Sequence, residues 1–451
     1  MIYFSTNMQK KNPKVHPGRT RKRTLSADTR FQQHRLSEPF RQRLSNGITL
    51  VGESIPTVES VAIGVWVNFG SRDEKPDENG LTHLIEHMVF KGTSNFSAAG
   101  LVGAIENRGG YINAFTTKEC SCYYAKVFKH DVEESIRVLA DLVIRPVFGN
   151  EDLENERKVV LSELQEVYDD PEDWGMDFLE EKIFAGNALS MPIIGTPALL
   201  RRYNVDDLRE FHRKNFTADR LVISVAGNFE RAELVALATK YFSALPPSSR
   251  FFIRRKPKQC RSDGFTIRRG YGRQAHILLG TRAPGLNDPD RFAASMAGVI
   301  LGDGSSSRLY KNVREKDGLA YSIYSFGSGY ADSGLAGVYA CTAVEDAALT
   351  EDRVFETIDE FVRNGPTDEE VERSRAQLKA GIIFALENLW DRATLFARDE
   401  LYYMGRSDVS ESLESIEKTT GADIAAVVKK YLTREKLTSV KILPQKKEKK
   451  K

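Results

Sequence analysis

The chain has 451 residues, of which 41% are hydrophobic and 28% charged, a composition typical of a soluble globular protein. Its length exceeds what one hydrophobic core usually supports, so we expect two or more domains. The formal net charge of +2 gives no indication of nucleic-acid binding, and no apolar run reaches the length of a membrane span.

Residues 1–38 are rich in Lys and Arg and form a separate basic segment. They contain no apolar stretch of the kind that a secretory signal requires. We assign them to a disordered arm. A mitochondrial presequence is an alternative, although Pro13, Pro17 and Gly18 would interrupt its helix. An over-called start upstream of Met8 is another.

A strand predicted over residues 61–67 is followed by a helix that carries an HxxEH motif, His-Leu-Ile-Glu-His at residues 83–87. Imidazoles of His83 and His87, four residues apart, lie one above the other and can bind one Zn²⁺. Glu86 shares their face and can act as a general base. Two surface histidines on a polar helix face are the alternative. The opposite face carries an apolar stripe: Leu81, Leu84, Ile85 and Met88.

Further elements follow the motif: a strand over residues 111–115 and a helix over residues 131–144 that ends before Pro146. Between them, Cys120 and Cys122 form a C-x-C pair in a strand-like segment, a geometry that is poor for a disulfide. We predict that these two cysteines, together with Cys260 and Cys341, are reduced and packed, as in a reducing compartment. We therefore expect a cytoplasmic protein, with the mitochondrial matrix as the alternative if the chain is eukaryotic.

Residues 154–166 predict an acidic helix. Glu156 and Glu163 are two turns apart and share a face of this helix. A catalytic zinc ion needs a third protein ligand, and by spacing alone Glu156, Glu163 or Glu166 could supply it. A solvated acidic face is the alternative. We expect the apolar side of the helix to consist of Val159, Val160 and Leu164.

The pattern of helix, Thr-containing turn and strand in residues 207–225 recurs in residues 423–443, with Thr217 corresponding to Thr433. The offset is constant and the order is the same, which predicts two related α/β domains, over residues 39–245 and 263–443. The linker should be residues 246–262, which are rich in Pro, Ser and basic residues. Residues 368–403 have a long helical pattern in the second domain, and the Lys-rich tail, residues 444–451, should be disordered.

Together these motifs resemble the pitrilysin-type, inverzincin zinc metallopeptidases, in the short branch that is similar to mitochondrial processing peptidases. The resemblance rests on the HxxEH text, on a Glu at the family's spacing from the second His (163 − 87 = 76), and on the run of residues 113–116, Asn-Ala-Phe-Thr. It implies an α+β fold of two related α/β domains made by internal duplication. Each domain would be a mostly antiparallel sheet packed with helices, and the chain would form half of a clam-like chamber.

The resemblance also implies the roles of individual residues. One Zn²⁺ per chain would be bound by His83, His87 and Glu163, and Glu86 would activate a zinc-bound water. Glu156 would not bind the metal itself. It would orient one of the ligands or assist metal uptake.

Two further sets of residues would handle the substrate. Asn113, Ala114 and Phe115 would belong to an edge strand that binds the peptide, with Asn113 also supporting the site. Arg314 and Tyr321, seven residues apart in the second domain, would grip the substrate carbonyl and stabilise the oxyanion.

The activity implied is a zinc endopeptidase that cleaves peptides or unfolded segments. Because relatives with four such domains close around their substrate and this chain has two, two chains should associate. A homodimer would be sufficient, and a heterodimer with a related inactive subunit is the alternative. A non-catalytic core subunit, or a subunit active only with a sister chain, is the alternative function.

Overall fold

The computed structural model describes residues 39–247, 253–258, 262–270, 272–405 and 409–445. The predicted N-terminal arm, Cys260 and residues 446–451 of the predicted tail lie outside these ranges. Strands in the described part of the chain form two sheets. In chain order they are β1 (Phe40–Arg43), β2 (Thr49–Ser54), β3 (Ser60–Val67), β4 (Tyr111–Thr116), β5 (Ser121–Phe128), β6 (Leu221–Gly227), β7 (Gly264–Arg268), β8 (Gln274–Ala283), β9 (Ala320–Gly329), β10 (Gly334–Ala343) and β11 (Thr438–Leu443).

Helices surround both sheets. They are α1 (Leu81–Val89), α2 (Ala98–Glu106), α3 (Val132–Ile144), α4 (Asn150–Asp169), α5 (Pro171–Ile183), α6 (Pro197–Arg202), α7 (Val205–Asn215), α8 (Arg231–Phe242), α9 (Arg291–Gly302), α10 (Ala347–Asn364), α11 (Asp368–Glu387), α12 (Leu389–Tyr403), α13 (Val409–Lys418) and α14 (Gly421–Tyr431), with a π-helical segment at Tyr310–Lys316. None of the described helices combines the length and the apolar character that crossing a bilayer requires.

The two sheets have the same topology. The order in the first is β1-β2-β6-β3-β5-β4, and in the second β7-β11-β8-β10-β9. Each sheet has one parallel pair among the described strands, β2 with β6 in the first sheet and β7 with β11 in the second. If β1 is left aside, this pair joins the first and the last strand of each sheet in chain order. The other neighbouring strands are antiparallel. This confirms the predicted duplication and the mostly antiparallel sheets, with β1 as an addition to the first copy.

The constant offset between the two copies reappears in the elements themselves. Helices α7 and α14 begin at residues 205 and 421 and end at residues 215 and 431. Both begin with a capping box, formed by Asn204 and Asp207 in the first copy and by Thr420 and Asp423 in the second. The same local signal therefore starts the helix that precedes the last strand of each copy, because each box satisfies N–H groups that a helix start leaves unpaired.

In each half of the chain, one helix packs on the sheet formed by the other half. Helix α5 packs through Leu179 and Ile183 on one face of the second sheet. Helix α12 packs in return on the first sheet, where the ring of Trp390 stacks on that of Trp66 with centroids 5.8 Å apart. The remaining face of each sheet is covered by helices from its own half. Helices therefore lie on both faces of each sheet, which explains why the inner strand β6 is buried at every position.

Most predicted elements agree closely with the structure. The predicted elements over residues 61–67, 111–115 and 131–144 are β3, β4 and α3. The long helical pattern of residues 368–403 is divided into α11 and α12 at Asn388, whose side-chain oxygen accepts hydrogen bonds from the backbone N–H groups of Trp390 and Asp391. Asn is a strong N-cap, so a second helix starts there. The described cysteines Cys120, Cys122 and Cys341 are free and buried, as predicted.

Candidate metal centre

Helix α1 is anchored by its apolar stripe and carries the HxxEH side chains on its other face. Leu81, Leu84, Ile85 and Met88 are at most 3% exposed. His83, Glu86 and His87 are half-buried; the two imidazoles face Glu163 of α4, and Glu86 faces Thr116 of β4. The helical period alone produces this division, because residues three and four apart share a face.

Helix α4 brings the acidic residues to the same place. Leu153, Val160 and Leu164 bury its apolar side, whereas Val159 is 44% exposed. The prediction that Val159 contributes to that side is therefore wrong. The buried stripe of α4 follows residues 153, 156, 160 and 164, and Val159 lies one step round the helix from it.

The side chains of His83, His87 and Glu163 converge. One ligand atom from each lies within 4.8 Å of the other two. The Oε2 atom of Glu163 is 3.4 Å from Nε2 of His87 and 3.9 Å from Nε2 of His83. Glu166, the other open candidate, is exposed and does not belong to this group.

Glu156 contacts the back of one imidazole. Its Oε2 atom is 3.1 Å from Nδ1 of His87, and its Oε1 atom is 2.5 Å from Nζ of Lys91. Because a carboxylate only accepts, Nδ1 of His87 donates to Glu156, and Nε2 is the ring nitrogen on the side of Glu163. This carboxylate–imidazole pair is the arrangement that orients histidine ligands of metals.

His83 is held neutral by its surroundings. Burial, and secondarily the neighbouring His87, lower the pKa of its imidazole to about 4. Its Nδ1 atom is buried and has no hydrogen-bond partner among the described residues. A neutral imidazole whose Nε2 faces a carboxylate is ready to donate a lone pair to a metal.

Glu86 points towards the edge strand β4. The hydroxyl of Thr116 donates a hydrogen bond of 2.6 Å to its Oε2 atom. Burial raises the pKa of Glu86, with a smaller contribution in the same direction from the charge of Glu163, whereas the Thr116 hydrogen bond and His87 act against the rise. The net result is a carboxylate that is more basic than an exposed one.

Strand β4 is the free edge of the first sheet in the described part of the chain. Asn113 shares one face of the strand with Tyr111 and Phe115, and its amide donates to the hydroxyl of Tyr111 at 2.6 Å. Ala114 lies on the other face, the same face as Thr116. The backbone of this strand therefore runs beside Glu86, while the side chain of Asn113 lies on the face away from Thr116.

Arg314 and Tyr321 are on the surface of the second domain. Arg314 belongs to the π-helical segment and is exposed, with its guanidinium 5.0 Å from the ring centroid of Tyr310. Tyr321, near the start of the edge strand β9, is 79% exposed. Both side chains are therefore presented to solvent.

Thr116 and Lys91 also contact the site, although neither has a role predicted from the sequence. Their positions in the chain carry two signals. Lys91 follows His87 by four residues, so both lie on one side of the chain as it leaves α1, and Thr116 is two residues from Ala114 and therefore shares its strand face.

The donor set fits zinc. Two imidazole nitrogens and one carboxylate oxygen are typical protein ligands of catalytic zinc, with bonds of about 2.0–2.2 Å. Tetrahedral bonds of that length place ligand atoms about 3.4 Å apart. The distance from His87 to Glu163 has this value, and the distance of 3.9 Å from His83 to Glu163 is only slightly longer.

Comparison with known proteins agrees with the geometry. The family model described as insulinase (peptidase family M16) matches residues 49–197, which include α1, β4 and α4. The model described as the peptidase M16 inactive domain matches residues 202–378.

Similar proteins include an uncharacterised zinc protease of Streptomyces coelicolor, 35% identical over 420 residues that cover 90% of each chain. Another uncharacterised zinc protease, of Bacillus subtilis, is 36% identical over 80% of this chain and 88% of its own. The beta subunit of the mitochondrial-processing peptidase of Lentinula edodes is 33% identical over 86% of each chain.

Solved structures share the fold. A peptidase M16 inactive domain from Pseudomonas fluorescens superimposes with a TM-score of 0.85 at 19% identity, covering 90% of this chain and 98% of its own. A protease from Helicobacter pylori gives 0.84 at 21% identity, covering 91% and 100%. From the identity and coverage of the sequence relatives it follows that this chain belongs to the insulinase family of peptidases, family M16.

Proposed function

We propose that the chain is a zinc-dependent endopeptidase that cleaves peptides or unfolded segments. The observation that carries the proposal is the convergence of His83, His87 and Glu163 beside Glu86. The relatives named as zinc proteases support it. One Zn²⁺ per chain would be held by the three converging side chains.

The chain's own residues supply positioning and proton transfer. Zinc at this site would polarise the scissile carbonyl and make water a better nucleophile at neutral pH. Glu86 accepts a proton from water as the water oxygen bonds to the carbonyl carbon, and it delivers that proton to the amine as the C–N bond breaks. Its raised pKa suits both roles. Glu156 orients the imidazole of His87 through its contact with Nδ1.

An extended peptide would bind along β4. The free edge of this strand at Asn113, Ala114 and Phe115 would pair with the peptide, as in other cases where a peptide adds a strand to a sheet. The N–H of Ala114, which donates to Oδ1 of Asn113 at 2.8 Å, would turn to the peptide. Thr116, at the end of the same strand, already contacts Glu86. A substrate on this edge therefore passes next to the general base.

Arg314 and Tyr321 would complete the site from a second chain. Both are exposed, and a guanidinium and a phenol are suitable donors to a developing oxyanion. We propose a C₂ homodimer in which the second domain of each chain faces the metal centre of the other, forming a closed chamber. A related inactive partner is the alternative, since one relative is named as a subunit of a processing peptidase. We propose the cytoplasm as the location, or the mitochondrial matrix for a eukaryotic chain.

The test compares the purified wild-type chain with Glu86→Gln for zinc content and for cleavage of a mixed peptide library. Glu86→Gln should keep zinc near the wild-type level and lose nearly all activity, because an amide cannot accept the proton. Ordinary turnover by this variant would refute the role of Glu86. A wild-type chain that binds zinc and cleaves nothing would favour the alternative of a core subunit or of a subunit that needs a sister chain.

A further inference from the structure

The helix that carries both histidines begins without a cap of its own. The residue at its N-cap position is Gly80, with φ at +93°, and it has no side chain to offer. The first turn of α1 contains no acidic residue. The N–H groups at a helix start need acceptors, and a sequence normally provides one at the N-cap itself.

A carboxylate from six residues upstream fills this role. The Oε1 atom of Glu74 accepts from the backbone N–H of Thr82 at 2.7 Å. Its Oε2 atom accepts from the backbone N–H of Gly80 at 2.9 Å and from Nδ2 of Asn79 at 3.0 Å. Both oxygens are used, and both are directed at the turn that immediately precedes His83.

Glu74 is only 5% exposed, and no cation pairs with it among the described residues. Burial raises the pKa of its carboxyl to about 7, although the hydrogen bonds from Thr82, Gly80 and Asn79 lower it. A buried carboxylate without a counter-ion is unfavourable. The N–H donors at the start of α1 compensate the buried carboxylate. The carboxylate and the first turn of the helix therefore stabilise each other.

The backbone that carries Glu74 is itself fixed. Arg72 forms ion pairs with Glu119 at 2.6 Å and with Asp332 of the second domain at 2.8 Å. Asp73 pairs with Arg254, in the segment between the domains, at 2.8 Å. Glu74 therefore holds α1 from a rigid point rather than from a mobile loop.

We propose that Glu74 is a positioning residue of the metal centre, which sets the place of His83 by anchoring the first turn of α1. The proposal rests on the zinc site proposed above. Helix α1 has nine residues, and His83 is the third of them. A shift of the first turn would move one ligand relative to His87, which lies a turn further along and is oriented from elsewhere by Glu156.

The experiment measures zinc affinity of the full chain by competition with a chromogenic chelator. Glu74→Gln cannot accept from all three donors, because its NH₂ group replaces one acceptor oxygen. We expect zinc affinity about 10- to 100-fold below wild type, the range found when residues behind metal ligands are changed. The visible absorption of the Co²⁺-substituted protein should change as well, because it reports ligand geometry.

Glu53→Gln is the matched control. Glu53 is 1% exposed, and its ion pair with Arg392 of α12, at 2.8 Å, lies away from α1. This variant also removes a buried charge but should leave zinc affinity within about twofold of wild type, since none of the metal ligands depends on it. Asn79→Ala, which removes one donor to Glu74, should give a smaller loss than Glu74→Gln and carries the test if Glu74→Gln does not fold.

Unchanged zinc affinity in Glu74→Gln, or in Asn79→Ala where it replaces that variant, would overturn the proposal and leave the proposed function intact. An equal loss in Glu53→Gln would also overturn it, because the effect would then be general destabilisation. A wild-type chain that binds no zinc would instead refute the proposed function.

Discussion

Glu156 and Glu163 show how two like residues on one helix face acquire different surroundings. The side chain of Glu163 is 38% exposed and faces both Nε2 atoms, whereas that of Glu156 is 9% exposed and lies between Lys91 and Nδ1 of His87. The helical period predicts that the two share a face, but it cannot predict which one lies beside the Nε2 atoms of both histidines. That depends on the height at which α4 crosses α1, which is set by long-range packing.

The difference predicts contrasting variants. Glu163→Gln should lose zinc, because it removes a charged ligand. Glu156→Gln should keep some zinc with affinity lowered about 10- to 100-fold, because it perturbs only the partner of His87. The measurement is metal content by mass spectrometry after dialysis against a weak chelator. Metal loss at Glu156 together with retention at Glu163 would reverse the two assignments.

A second prediction at the scale of single residues concerns His212 of α7, the helix that packs against α1. Its Nε2 is 2.9 Å from the carbonyl oxygen of Val143, and its ring stacks on Phe216. Burial lowers the pKa of this imidazole to about 4, from an ordinary value of 6.5. The unfolded chain therefore binds the extra proton first as pH falls, so stability is lost between pH 6.5 and pH 4.

His212→Gln keeps a donor to Val143 but does not titrate. The destabilisation of the metal-free protein between pH 7 and pH 5 should be roughly 1–2 kcal/mol smaller in this variant than in wild type. Urea unfolding at the two pH values, with a chelator present, measures the difference. Equal pH dependence in both proteins would show that His212 is not buried in its neutral form.

At the scale of elements, local signals predicted the helices and strands that build the site, and they failed where packing decides. The apolar period places the buried stripe of α1 and the two histidines on opposite faces of that helix, and the strand pattern predicts β4. The same period could not predict which sheet α5 or α12 covers, since an apolar stripe indicates only that a helix packs on something. It also missed the break at Asn388, because the helical pattern continues on both sides of that cap.

Helix α12 should contribute to the stability of the first domain although it lies in the second half of the chain. The ring of Trp390 stacks on Tyr124 at 4.1 Å as well as on Trp66. Trp390→Ala should destabilise the protein by about 3 kcal/mol, the lower end for loss of a packed aromatic ring. Phe384→Ala, at a ring that is 67% exposed, is the control and should change stability by less than about 0.5 kcal/mol. Thermal unfolding followed by near-ultraviolet circular dichroism compares them, and equal midpoints would contradict the role of α12.

At the scale of the whole molecule, the proposed shared site predicts rescue between inactive chains. Glu86→Gln has intact Arg314 and Tyr321, whereas Arg314→Ala with Tyr321→Phe has an intact metal centre. Random mixing makes half of the dimers mixed, each with one complete site of two, so activity could return to roughly a quarter of wild type. The assay is cleavage of a quenched peptide after co-expression. If activity stays absent while mass spectrometry of tagged chains shows exchange, each site is completed within one chain or by a different partner.

Helices α5 and α12 each pack on the sheet of the other half of the chain, and this arrangement affects folding during synthesis. The strands of the first sheet are complete once residue 227 has been synthesised, but the helix that covers one of its faces ends at residue 403. At the usual rates of translation the intervening stretch takes roughly 10–30 s to synthesise. During that time the apolar face around Trp66 and Val222 is not yet covered by α12. Helix α5 likewise has no second sheet to pack on. The nascent first half should therefore be a substrate for ribosome-bound chaperones, and its final folding should occur only after nearly the whole chain has left the ribosome.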